Sequence, residues 1–173
     1  MLQQSLSFSS NIESGALLVQ DVVGTYRAAA PHEVMAAALR MLAGQLRGTE
    51  VLSSPAVVRD YLRLKLGTLE HEVFAVIHLD AQHRVIEYVE MFRGTVTQTS
   101  VYPREVVKEA LAHNTAALIL VHNHPSGTAT PSRADEALTK QLMQALSLVD
   151  VKVIDHLIVG GAEIYSMAEH GLM

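Results

Sequence analysis

The 173-residue chain, 49% apolar with a mean hydropathy of +0.21, suits one substantial domain with a short appendage and is too small for two large independent cores. No run approaches the roughly 18 uninterrupted apolar residues a bilayer span requires, the N-terminus lacks a basic-then-apolar secretion signal, and the lack of cysteine removes disulfides, thiolate metal ligands and thiol nucleophiles, so a soluble cytoplasmic protein with no membrane partner is expected. Its 13 basic and 18 acidic residues, scattered singly for a net charge of −5, are a poor footprint for nucleic acid, and any metal must be held by His, Asp or Glu.

Residues 1–14 are polar and aperiodic and read as a disordered tail, and residues 15–50 as an N-terminal extension, ambiguous over 15–30 and helical from Pro31. From Pro31 to Arg47 the apolar positions Val34, Met35, Ala38, Leu39, Leu42 and Leu46 recur at helical spacing, and Gly48 suits the end. Ser53-Ser54-Pro55 opens a second helix that Gly67 stops. The period then changes: Val73 to Leu79 and Val85 to Val89 predict an antiparallel hairpin turning at Asp80-Ala81-Gln82-His83, and Gly94 to Val101 a third strand. Pro103 to His113 returns to helical spacing. Ala116 to Val121 is a continuous apolar run of the kind buried on both faces, followed by a helix through Ala137 to Leu148 and strands at 151–159 and 163–166. Alternating strands and helices predict a sheet covered on both faces.

The apolar run leads directly into His122-Asn123-His124-Pro125. Residues i and i+2 at a strand end share a side, so both imidazoles can address one point while Asn123 faces away. Pro125 and Ser126-Gly127 turn the chain, Ser132 is a good N-cap, and Asp135 in the first helical turn can look back over the loop. Each half alone has a plain structural reading, a helix start or two hydrogen-bonded histidines. Together they predict one Zn2+ per chain held by His122, His124 and Asp135, with an open fourth position as in catalytic sites.

The pattern His-x-His-Pro, six residues, Ser-x-x-Asp resembles the JAMM (MPN+/JAB) metalloprotease motif. More closely, Glu72-Val73-Phe74-Ala75-Val76, Leu79-Asp80, Arg93-Gly94-Thr95, Val101-Tyr102-Pro103-Arg104-Glu105, His122 to Gly127, Pro131 to Asp135 and Asp155 to Gly160 resemble the RadC family, over about residues 50 to 173. The resemblance implies an α/β fold, a three-layer α/β/α sandwich with a mixed sheet of the JAB/MPN type related to cytidine deaminases, over residues 51–173. It implies a zinc peptidase or isopeptidase acting on a peptide or protein substrate, with an upstream glutamate as general base and Ser132 donating to the oxyanion. Glu72, opening the first strand, takes the glutamate's place, with Glu87 and Glu90 in reserve. The family also offers a DNA repair or recombination accessory role, against which the negative charge counts, and an inactive scaffold on the same fold; the missing cysteines exclude a cytidine deaminase.

The remaining histidines have structural readings. His32, His83, His113 and His170 fall at turns or exposed ends, and His71 and His78 flank or face out of the first strand. Asp155-His156, polar within an apolar strand, either supports a metal ligand or is satisfied structurally. Arg104 either holds substrate or pairs with Glu105.

Overall fold

The computed structural model describes residues 17–51, 54–94 and 100–173, so the expected tail at 1–14 lies outside the described residues. The chain divides into two compact units between Leu42 and Ala43, inside the first helix. In the first unit, β1 (Leu18–Gln20) and β2 (Tyr26–Ala28) form an antiparallel hairpin within the stretch that the sequence leaves ambiguous. Asp21 Oδ1 closes its turn by accepting from the Val23 and Thr25 N–H groups at 2.9 Å each, and Gly24 supplies the φ of +88°. Helix α1 (Pro31–Leu46) follows, its first turn tied down by Glu33, which accepts from Ala30 N–H at 2.8 Å and from the Arg27 guanidinium at 2.6 and 2.8 Å.

The second unit continues with α2 (Pro55–Leu66), β3 (Val73–Leu79), β4 (Val85–Arg93), α3 (Pro103–Ala112), β5 (Ala117–Asn123), α4 (Arg133–Ser147), β6 (Lys152–Gly160) and β7 (Glu163–Ser166). The strand predicted over 94–101 falls mainly on residues 95–99, outside the described residues. The sheet order is β4-β3-β5-β6-β7, with β5 and β6 parallel and the other pairs antiparallel. The parallel pair needs a crossover, and α4 provides it.

Every residue of β3 and β5 is buried, which explains why both read as continuous apolar runs. On one face Phe74, Val76, Leu118 and Leu120 pack with Val106 and Ala110 of α3 and Leu142 and Leu146 of α4. On the other, Val58 of α2 shares a cavity wall with Ile119 and Leu157, whose side chains alternate with those of the first set. Helices therefore cover both faces, giving the three-layer α/β/α sandwich with a mixed sheet. Fully buried Leu118, Leu120, Leu142 and Leu146 each contribute about 1.5–3 kcal/mol of transfer free energy. No described helix is long and apolar enough to cross a membrane.

Candidate metal centre

Three local devices bring the candidate ligands to the end of β5. His124 N–H donates to Val159 C=O at 2.8 Å, which carries the parallel ladder one residue past the strand before Gly127, at φ +82°, closes the turn onto His124 C=O. The returning loop lies directly on Gly160, where a Cβ would run into Ala129 N, Thr128 C and Gly127 O. Ser132 then caps α4: its Oγ accepts from Asp135 N–H at 3.2 Å, and Asp135 Oδ2 accepts from Ser132 N–H at 2.7 Å. Such a cap contributes about 1 kcal/mol, and here it also holds the Asp135 carboxylate over the loop.

The hydrogen bonds determine which nitrogen of each imidazole is free. Thr139 Oγ–H donates to Asp135 C=O at 2.6 Å, so the same oxygen accepts from His156 Nδ1–H, also at 2.6 Å. His156 Nε2 is then a bare acceptor and takes Nδ1–H of His122 at 2.8 Å, leaving a lone pair on His122 Nε2. His124 Nδ1 lies 2.8 Å from Thr128 C=O, which can only accept, so His124 Nε2 also carries a lone pair. The two Nε2 atoms are 2.9 Å apart, with Asp135 Oδ1 3.3 Å from His122 Nε2 and Oδ2 3.5 Å from His124 Nε2. With both rings neutral in these tautomers, three electron-pair donors converge. This set repels itself unless a cation sits in it, and two imidazoles with one carboxylate fit zinc.

A proton shared with Asp135 is the cation that competes with a metal for this set, and the electrostatics reflect it. Burial pulls the Asp135 carboxyl upward, but its hydrogen bonds with His122 and His124 prevail and hold it well below the usual carboxylate range. The contact with Asp135 raises His124, against the opposing effect of burial. Burial, reinforced by neighbouring His122, pushes His156 well below the usual histidine range and keeps it neutral, as its place in the chain of bonds requires.

Glu72 stands one residue before β3. The antiparallel register pairs Phe74, whose ring meets that of His156 at 6.0 Å, with His122, and continuing that register two residues would bring Glu72 opposite His124. Its charge acts on His124. Asn123 fixes this entry to the strand, since its Oδ1 accepts from Val73 N–H at 2.8 Å and its Nδ2 donates to His71 C=O at 3.0 Å. Glu90 pairs with Ala75, on the opposite face from His122, and binds Lys65 at 2.9 Å. Glu87 pairs with His78, roughly 14 Å along β3 from Phe74 at about 3.4 Å per residue, and binds Arg47 at 3.2 Å. Neither reserve glutamate stands at the site.

Ser132 Oγ–H donates to Asp135 Oδ2 at 2.7 Å, so its hydroxyl proton is held by the carboxylate. Asp155 and His156 divide the two roles expected of them: Asp155 accepts from His156 N–H, Ser166 Oγ–H and Ala168 N–H and is structural, whereas His156 holds His122. Arg104 is exposed and pairs with Glu105 at 3.2 Å. Sequence reasoning missed Thr139, Thr128 and the side chain of Asn123, which form their bonds only through loop closure or strand pairing.

A mixed sheet between helical layers, with His-x-His closing a central strand and an aspartate in the first turn of the following helix, defines a JAB-type α/β domain. The chain belongs to the RadC-like JAB domain family, whose model matches residues 52–172. Similar curated proteins include the UPF0758 protein of Leptothrix cholodnii, 62% identical over 140 residues covering 81% of this chain and 63% of that protein. That of Nitrosomonas eutropha is 58% identical over 151 residues, covering 87% and 67%, and that of Thiobacillus denitrificans is 57% identical over 149 residues, covering 86% and 66%. The chain spans about two thirds of the length of these relatives.

Proposed function

We propose that the chain is a zinc-dependent metallohydrolase of the JAMM type, a peptidase or isopeptidase acting on a peptide or protein substrate. The observation that carries this reading is the convergence of the two Nε2 lone pairs and the Asp135 carboxylate. His122, His124 and Asp135 would hold the ion. When bound, zinc supplies Lewis acidity, acidifying water and polarising a carbonyl. Glu72, opposite His124 in the extended register, takes the proton from the attacking water and passes it to the leaving amine. Ser132 turns its hydroxyl from Asp135 Oδ2 toward the developing oxyanion while its oxygen continues to accept from Asp135 N–H. His156, Thr139 and the Thr128 carbonyl keep both imidazoles in the ligating tautomer.

A peptide-library digest tests the reading. Hydrolysis is expected from the zinc-loaded protein, lost on chelation and restored by zinc; a zinc-loaded protein that cleaves nothing in the library overturns it.

A further inference from the structure

A second group of ligating side chains gathers at the other end of β3. His78, expected to flank or face out of the strand, is fully buried because β3 is covered on both faces. It lies four residues beyond Phe74, roughly 14 Å along the strand from the residue opposite His122. His113, at the C-cap of α3, stacks on it with ring centroids 4.3 Å apart and planes at 12°. Glu109, one helical turn earlier, brings Oε1 to 3.5 Å from His113 Nδ1. One ligating atom from each of the three lies within 4.8 Å of the others.

His78 also carries a buried ring nitrogen without a partner. Its Nδ1 meets Thr115 Oγ1 at 2.7 Å, while its Nε2 is buried with no hydrogen-bond partner. Native interiors rarely leave a ring nitrogen so. Where Thr115 Oγ1 accepts from Nδ1–H, Nε2 carries a free lone pair.

We propose that His78, Glu109 and His113 form a second cation site, taking a borderline divalent transition metal such as zinc. Two imidazoles and one carboxylate, with no thiolate and one carboxylate oxygen source, suit zinc over magnesium or calcium. Because the ligands join the last turn of α3 to β3, the ion is structural: it ties helix to sheet, remote from the centre at His122. The near-parallel rings mean that His113, 23% exposed, must turn out of the stack on binding and release its Nδ1 contact with Glu109 C=O.

The test uses the full chain stripped with chelator and titrated with zinc, and with cobalt for its visible absorption. The wild type is expected to take two equivalents, and His124→Ala/Asp135→Ala to keep one. In that background, zinc at about a hundred times its Kd should raise the unfolding temperature by about 5–10 °C. Adding Glu109→Gln or His113→Asn, both at partly exposed positions that spare the buried His78, should abolish the equivalent, the cobalt spectrum and the thermal shift. The proposal is overturned if His124→Ala/Asp135→Ala binds no metal, or if Glu109→Gln and His113→Asn leave the remaining equivalent with unchanged affinity.

Discussion

Nε2 of buried His156 lies 2.8 Å from Nδ1 of His122, and this contact decides which nitrogen His122 turns toward His124 and Asp135. The chain of bonds starts at a backbone carbonyl, Asp135 C=O, runs through Thr139 and His156, and ends on an imidazole that faces the carboxylate of the same Asp135. Helix α4 therefore supplies one ligand and orients another. His156→Phe keeps an aromatic ring but removes the acceptor, leaving His122 Nδ1–H unpaired in the interior. Zinc affinity at this centre should fall by about 10–100-fold, as removal of such supporting partners usually does. Chelator competition on His156→Phe and Thr139→Val measures it; wild-type affinity in both would show that the chain of bonds is idle.

Asn123 links the two strands that carry the ligands and the proposed base. Asn123→Ala strips a buried acceptor from Val73 N–H, and urea unfolding should register a loss of about 1–3 kcal/mol. Because the ligands themselves are untouched, zinc content at the His122 centre should persist while hydrolysis drops, since Glu72 loses its anchored approach. Equal hydrolysis would detach Asn123 from the positioning of Glu72.

Gly160 tests the loop. Gly160→Ala places a methyl against Ala129 N, Thr128 C and Gly127 O, all backbone atoms that cannot step aside singly. The loop must lift, and Thr128 C=O with it, so both stability, by about 1–3 kcal/mol, and zinc affinity should decline. Gly44→Ala in α1 is the contrast, because a Cβ there meets nothing within 4 Å. Replacing a helical glycine should stabilise the chain by up to about 1 kcal/mol.

The fold's acid response should begin at the buried histidines. Burial, with the neighbouring His113 ring, lowers His78 to about 4, against an unfolded value of about 6.5. The unfolded chain takes up a proton first, so the stabilising contribution is complete above pH 6.5 and is lost as pH falls from 6.5 toward 4, amounting to roughly 3 kcal/mol. Urea unfolding of chelator-treated protein at pH 7.5, 5.5 and 4.5 should show this decline, and His156, lowered by burial, acts in the same direction. A flat profile between pH 7.5 and 4.5 would contradict it.

The clustering of the candidate ligands was legible in the chain because their spacing expresses local geometry. His122 and His124 share a side through the two-residue period of a strand, and Asp135 is placed by the cap that Ser132 starts. Glu72 required more, since only the register pairing Phe74 with His122 brings its end of β3 beside the end of β5. The roles of Thr139 and His156 depend on the parallel pairing of β5 with β6, including a register shift between Leu118 and Ile119 that no local pattern announces. His78 misled for a related reason: in a strand covered on both faces, a polar residue has no outer side to point to. The three-residue strands of the N-terminal hairpin are too short to display a period.

Glu72 is proposed to serve a metal held by His122, His124 and Asp135. The most direct measurement compares peptide-library hydrolysis and zinc content for wild type, Glu72→Gln and Asp135→Ala. Glu72→Gln should retain the wild-type zinc content and lose hydrolysis, whereas Asp135→Ala should lose one equivalent of zinc together with hydrolysis. Wild-type cleavage by Glu72→Gln, or undiminished zinc content in Asp135→Ala, would contradict it.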